Sequence, residues 1–309
     1  MALAGGVGAA RFLKGLVRVV TPRDVTVVVN TGDDEVFYGL LVCPDLDTIT
    51  YNLAGAADEA KGWGIGGDTF HTLDGLRRYG YDTWFALGDG DLATHLHRNL
   101  LLQQGMTLSQ ATDAIARAWQ VEARLLPMTD HRVATRFVTD HGTLAFQDYF
   151  VKRQASPSIK EIVFEGAEKA APAPGILEAV ASARGIIVCP SNPLISIGPI
   201  LAVPGIREAL RESHAPVVGI SPIIAGEAVK GPLKKMMEDM SLEATAYGVA
   251  QLYRDFLDCF IIDHRDASLQ SKIRGLGMEV VVCETLMSTP ERATDLAGAA
   301  MKALGLKLS

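Results

Sequence analysis

The sequence has four cysteines in 309 residues, Cys43, Cys189, Cys259 and Cys283, and no CxxC pair among them. That excludes a disulfide-stapled scaffold and the paired-cysteine zinc sites. Three of the four lie in or beside apolar runs, where a free thiol behaves as a small hydrophobe, and the usage suits a reducing, cytoplasmic compartment. No apolar stretch approaches the roughly 20 residues that a membrane span needs. A signal peptide is not expected, because Met1-Ala2-Leu3-Ala4 runs into glycines before a long apolar segment can build. Basic charge is also scarce: 29 Lys and Arg against 36 Asp and Glu leave a net charge of −7. A nucleic-acid partner, which wants a basic stripe, is therefore not expected, while a local basic pocket for an anionic ligand remains open.

What is present is a chain with 48% hydrophobic residues, long enough to bury roughly three quarters of its unfolded surface. Ala2-Leu3-Ala4, then Gly5-Gly6-Val7-Gly8, then an amphipathic stretch from Ala9 with Phe12, Leu13 and Leu16 on one face, read as strand, glycine turn and helix. Val25–Val29 is a β-branched run of the kind that is buried on both sides in a parallel sheet. Further strands are expected over Thr83–Leu87, Gly185–Cys189, Pro216–Ile220, Phe260–Ile262 and Val280–Val282. Helices are expected near Ile176–Arg184, Gly205–Glu212 and Thr245–Phe256. Strand–helix alternation predicts an α/β fold with a mostly parallel, Rossmann-like sheet flanked by helices. Residues 125–163 break the rhythm with hairpin signals such as Asp140-His141-Gly142. They are expected to form a smaller hairpin-rich insertion, a cap or a dimer contact, in a core made of 1–124 and 164–309.

The residues able to carry chemistry cluster at expected strand ends. Gly5, Gly6 and Gly8, between a strand and a helix, would let backbone N–H groups approach a phosphate, although the string is neither GxGxxG nor a P-loop. Asp33 and Asp34 follow the second strand. Asp45 and Asp47 form an Asp-x-Asp that could meet a hard cation such as Mg²⁺ or simply cap the helix beginning near Thr48. Asp89 and Asp91 pose the same choice. His95 and His97 point apart on a helix, so a zinc site is not favoured, and both are expected to be solvated or partly buried. Ser191-Asn192-Pro193 and Ser221-Pro222 follow strands where ligands of open α/β sheets sit. Lys230, Lys234 and Lys235 fit a diphosphate site or an exposed face equally.

Several of these strings together resemble one family. Leu3-Ala4-Gly5-Gly6-Val7-Gly8-Ala9-Ala10-Arg11-Phe12, Val29-Asn30-Thr31-Gly32-Asp33-Asp34, Cys43-Pro44-Asp45-Leu46-Asp47-Thr48, Asp91-Leu92-Ala93-Thr94-His95, Pro190-Ser191-Asn192-Pro193 with Ser196, and Ser221-Pro222-Ile223-Ile224 are similar to the 2-phospho-L-lactate transferase family, and most closely to its actinobacterial members. The likeness runs from residue 2 to about residue 290.

The resemblance implies a Mg²⁺-dependent transfer. A phosphorylated three-carbon acid, phosphoenolpyruvate or 2-phospholactate, moves from its guanosine diphosphate-linked donor to the deazaflavin Fo, with release of GMP, in coenzyme F-420 biosynthesis. It implies Asp47 and Asp45 as catalytic residues and Asp47 and Asp34 as metal ligands. It places Gly5, Gly6, Gly8, Arg11, Asn30, Asp33, Thr48, Asp89, Asp91, Ser191, Asn192, Ser196 and Ser221 against the substrates. A homodimer is expected. One departure stands out: Gly90 occupies a position where many relatives carry arginine between two aspartates. The rival reading is a non-catalytic nucleotide-sugar-binding regulator of the gluconeogenesis-factor type. Pro44-Asp45-Leu46-Asp47 and Asp91-Leu92-Ala93-Thr94-His95 favour the transferase.

Overall fold

The computed structural model describes residues 1–307. Its centre is a seven-stranded sheet of β1 (Ala2–Ala4), β2 (Thr26–Val29), β3 (Arg124–Pro127), β4 (Ile186–Val188), β5 (Val217–Ile220), β6 (Cys259–Asp263) and β7 (Glu279–Cys283). The spatial order is β7-β6-β5-β4-β1-β2-β3, and every pairing is parallel. Successive side chains of a strand point to opposite faces. Leu3, Val28, Val188 and Ile262 accordingly enter the core on one side, and Ala2, Ala4, Val27, Val29, Ile187 and Ile261 the core on the other. Both faces are covered, which is why these strands read as unbroken apolar runs.

The helices that frame the site are α1 (Gly6–Leu16), α2 (Pro44–Leu53), α3 (His71–Arg78), α4 (Asp89–Gln103) and α5 (Leu108–Ala118). Helix α1 buries Phe12, Leu13 and Leu16, as its periodicity predicts. It packs closely on the C-terminal helix Pro290–Ala303: a Cβ on Gly15 would lie 2.3 Å from the carbonyl oxygen of Ala293, so only glycine permits this crossing. All four cysteines are free. Among the described residues no helix is long and apolar enough to cross a membrane.

Two expectations need correction. Thr83–Leu87 is not a strand. Its aromatic residues instead join a small cluster, with Phe85 stacked on Phe37 at 4.0 Å and Trp84 set edge-on to Phe37 at 5.5 Å. Side-chain packing has taken the β-prone residues out of any ladder. Leu125–Pro127, expected in the hairpin segment, is the edge strand β3, paired with β2 through Val27 and Leu125. The separate three-stranded antiparallel sheet runs over Ala134–Thr139, Gly142–Ala145 and Ile159–Glu165. It docks on the turn after β2: Thr135 N donates to Gly32 O at 2.7 Å, and Gln147 Nε2 donates to Asp33 O at 3.1 Å.

Candidate active site

The strand order reverses between β1 and β4, and in open α/β sheets ligands bind outside the carboxyl ends of the strands at that switch point. Here the two strand ends are tied to each other. Ser191 Oγ, just past β4, donates to Gly5 O at 2.9 Å. A Cβ on Gly8 would lie 2.4 Å from Pro190 O. Gly6 takes a φ of +71°, a left-handed conformation natural to glycine. Its N–H, the first of α1, donates to Asp45 Oδ1 at 2.7 Å. Asn30 Nδ2 bridges Asp45 Oδ2 at 2.9 Å and Asp33 Oδ1 at 3.1 Å. A Cβ on Gly5 would stand 2.6 Å from Asp45 Oδ2 and 2.8 Å from the Ser196 Cβ.

Helix α2 divides its two aspartates between two sets of partners. It starts at Pro44, favoured at the first helical position, so Asp45 and Asp47 both lie inside the first turn. Two residues apart on a helix is about 200° of rotation. Asp45 therefore faces α1, and Asp47 faces α4. There Arg98 grips it with both terminal nitrogens, Nη2 on Oδ1 and Nη1 on Oδ2, the latter at 3.2 Å. Arg98 Nη1 also donates to His95 Nδ1 at 3.2 Å. His95 Nε2 lies 3.4 Å from Asp91 Oδ1, which also accepts from Tyr51 Oη at 2.8 Å. Asp91, His95 and Arg98 are spaced four and three apart and so share one face of α4.

Four carboxylates, Asp33, Asp34, Asp45 and Asp47, are all less than 10% exposed. Burial, reinforced by the neighbouring carboxylates, pushes Asp33 well above the usual carboxylate range, burial raises Asp34 likewise against the opposing pull of Cys43 and Arg98, and burial lifts Asp45 to about 6. Burial works against ionised Asp91 as well, but hydrogen bonds from His95 and Tyr51 and the charge of Arg98 hold it low. Asp34 Oδ1 is buried without a hydrogen-bond partner. An excess of buried oxygen donors with one oxygen unsatisfied fits a hard divalent cation that shares substrate oxygens. Single ligand atoms of Asp47, Asp91 and His95 also lie within 4.8 Å of one another. Arginine can only donate, so its bond to Nδ1 makes that nitrogen the acceptor and leaves the imidazole proton on Nε2. The ring is thus held by Arg98 through Nδ1, while Nε2 stands 3.4 Å from Asp91 Oδ1 without a hydrogen-bond partner.

The structure gathers Gly5, Gly6, Asn30, Asp33, Asp45, Ser191 and Ser196 around one centre and joins Asp47 and Asp91 through Arg98 and His95. Asp34 and the buried Thr48 lie beside them. Other expected residues have local work. Asn192 Oδ1 accepts from Leu194 N and Ile195 N. Ser221 Oγ bonds within its own turn to Ile223. Asp89 accepts from His71 N and Thr72 N and thereby caps α3. Arg11 is half-buried on α1, close enough to Glu59 and Lys230 for its charge to act on both. Lys234 pairs with Glu227 and Lys235 with Asp239, which makes these two lysines surface partners. His95 is fully buried, against expectation, whereas His97 is exposed. Arg98 was not expected at all. The available signal was the Asp91–His95–Arg98 spacing on one helical face.

A buried, oxygen-rich acidic site at the switch point defines a ligand-binding α/β protein of the doubly wound class. Comparison with known proteins narrows this class. The family described as 2-phospho-L-lactate transferase CofD matches residues 1–292, and the chain belongs to that family. A phosphoenolpyruvate transferase of Kitasatospora aureofaciens is 46% identical over 97% of this chain and 96% of its own length. A 2-phospho-L-lactate transferase of Methanosarcina mazei is 36% identical over 95% and 96%. A solved structure of a upf0052 family member from Bacillus halodurans superposes with a TM-score of 0.62 over 97% of each chain at 16% identity, a likeness of fold.

Proposed function

We propose that the chain transfers a phosphorylated three-carbon acid, by preference phosphoenolpyruvate, from its diphosphate-linked guanosine donor to a hydroxyl of the deazaflavin Fo, with release of GMP. The observation that carries this reading is the clustering of the buried Asp33, Asp34, Asp45 and Asp47 beyond the ends of β1 and β2, an oxygen set suited to the cation that a diphosphate needs for neutralisation. The relatives' names supply the acid, and the five actinobacterial relatives favour phosphoenolpyruvate.

In the proposed reaction the acceptor oxygen forms a bond to the phosphorus of the acid's phosphate. The anhydride bond to GMP breaks, GMP leaves with that electron pair, and the hydroxyl proton passes to a carboxylate. Phosphoryl transfer of this kind is chiefly positioning and charge stabilisation. Asp47 is the first candidate to receive or orient the hydroxyl, and Asp45, on the α1 side of the same helical turn, is the second. Asp47 and Asp34 would hold Mg²⁺, which supplies charge neutralisation on the diphosphate. Gly5, Gly6, Ser191 and Ser196 line the place where the donor would enter, by displacing or sharing the Asp45 carboxylate that now holds Gly6 N. Four free cysteines, three of them buried, support a reducing, cytoplasmic setting.

The test mixes the purified protein with Fo and Mg²⁺, follows fluorescence polarisation of the deazaflavin, then adds the guanylylated donor and assays GMP. Saturable binding and Fo-dependent GMP release are expected. A folded protein that neither binds Fo nor releases GMP sinks the reading.

A further inference from the structure

We propose that Arg98 is a positioning residue for the transfer: it fixes the plane of the Asp47 carboxylate and the tautomer of His95 through one guanidinium. The proposal rests on the transfer reading for its kinetic consequence, while its structural half stands apart from it. Arg98 is 1% exposed and is the one fully buried lysine or arginine among the described residues. Its two terminal nitrogens take both oxygens of Asp47. Nη1 also reaches His95 Nδ1 at 3.2 Å and Leu41 O at 3.4 Å.

A carboxylate offers about four lone-pair sites, and a forked guanidinium uses two of them in one plane. The rest of Asp47 is then presented in a fixed direction to whatever binds beside α2. The bond to Nδ1 keeps the imidazole proton on Nε2, towards Asp91. Arg98 thus fixes the carboxylate of Asp47 and sets the His95 ring with Nε2 3.4 Å from a second acid, Asp91. A lysine has one nitrogen and no planar fork, so it can carry the charge but cannot hold both oxygens and the ring together.

The test compares wild type with Arg98→Lys, and with Arg98→Gln should the lysine variant not fold. Folding is checked by thermal unfolding. In the wild type, imidazole ¹⁵N NMR is expected to show His95 with protonated Nε2 and bare Nδ1. In the variants the Nδ1–H form should appear. Steady-state turnover is expected to fall about 100-fold in kcat, the scale of a misplaced reacting group, with KM for Fo and donor within about threefold of wild type. Ethylguanidinium added to Arg98→Ala should restore kcat, and ammonium should not. An unchanged His95 tautomer, a lysine variant with wild-type kcat, or ethylguanidinium that raises the unfolding temperature without raising kcat overturns the proposal. A wild type that releases no GMP overturns the transfer reading, and the NMR readout still decides what Arg98 holds.

Discussion

Gly6 N donates to Asp45 Oδ1 at 2.7 Å, so the first turn of α1 already holds an anion, and the protein itself supplies it. A helix N-terminus favours negative charge, and the sequence suggested a phosphate there. In the structure a side chain from α2 occupies that place. Any phosphate group that enters has to displace the Asp45 carboxylate or share its surroundings.

Crowding around Gly5 follows from the same contact. Gly5→Ala would set a methyl group 2.6 Å from Asp45 Oδ2, 2.8 Å from the Ser196 Cβ and 3.2 Å from the Asn30 Cβ. Relief by shifting these groups is expected to cost about 1–3 kcal/mol of stability and to remove most of the turnover. Denaturant unfolding and GMP release measure the two effects. A variant with wild-type stability and rate would show that the cradle is loose.

Asp47 and Arg98 predict a difference between two substitutions. Asp47→Ala leaves a buried guanidinium without its partner and is expected to cost about 3–5 kcal/mol. Asp47→Asn keeps an acceptor facing Arg98 and should cost less, while turnover falls in both. Urea melts of the two variants are the check, and equal destabilisation would contradict the pairing.

The acids also predict how stability changes with pH. In the folded chain Asp45 is lifted from an ordinary 3.8 to about 6, and Asp33 and Asp34 are raised well above it. Between these limits the folded state binds more protons than the unfolded one, so stability falls as pH rises from about 4 through about 6. The metal-free protein should show this slope in thermal unfolding. Millimolar Mg²⁺ should flatten it if a cation takes the place of the protons. A slope of the opposite sign would mean that the carboxylates are ionised and satisfied without either.

Asp68 and Asp89 exchange caps between two helices. Asp68 accepts from Gly90 N at 2.8 Å and Asp91 N at 3.0 Å, at the start of α4. Asp89 in turn closes the start of α3. Asp68→Ala is expected to cost about 1 kcal/mol and to disturb Asp91 at the head of the His95 chain. Gly88→Ala should behave likewise, because its methyl would lie 2.0 Å from Asp68 Oδ2. Asp89→Ala should speed hydrogen exchange at His71 and Thr72. Unchanged exchange there would point Asp89 back towards substrate.

Much of the fold was legible because periodicity is local. Val25–Val29 could hardly be anything but a buried strand, and the glycines after Ala4 announced a turn into α1. Trp84 and Phe85 misled because a β-prone pair was consumed by stacking on Phe37. Leu125–Pro127 misled because edge strand and hairpin strand look alike until a partner is chosen.

What the sequence determined by itself was the strand–helix alternation, the polar turns at strand ends, the low cysteine count and, through its motif strings, the family. Which turn residues meet was decided only by the tertiary structure. Asn192 and Ser221 share the motifs' character, yet they close their own turns, and Asp89 caps a helix. Asp45 and Asp47 are neighbours in the sequence, yet they serve different partners because a helix turns about 100° per residue. Arg98 is 51 residues from Asp47, and its role exists only once α4 is laid against the first turn of α2. Local periodicity writes elements into a sequence, but the pairing of buried charges depends on long-range packing, where an unpaired partner is too costly to keep.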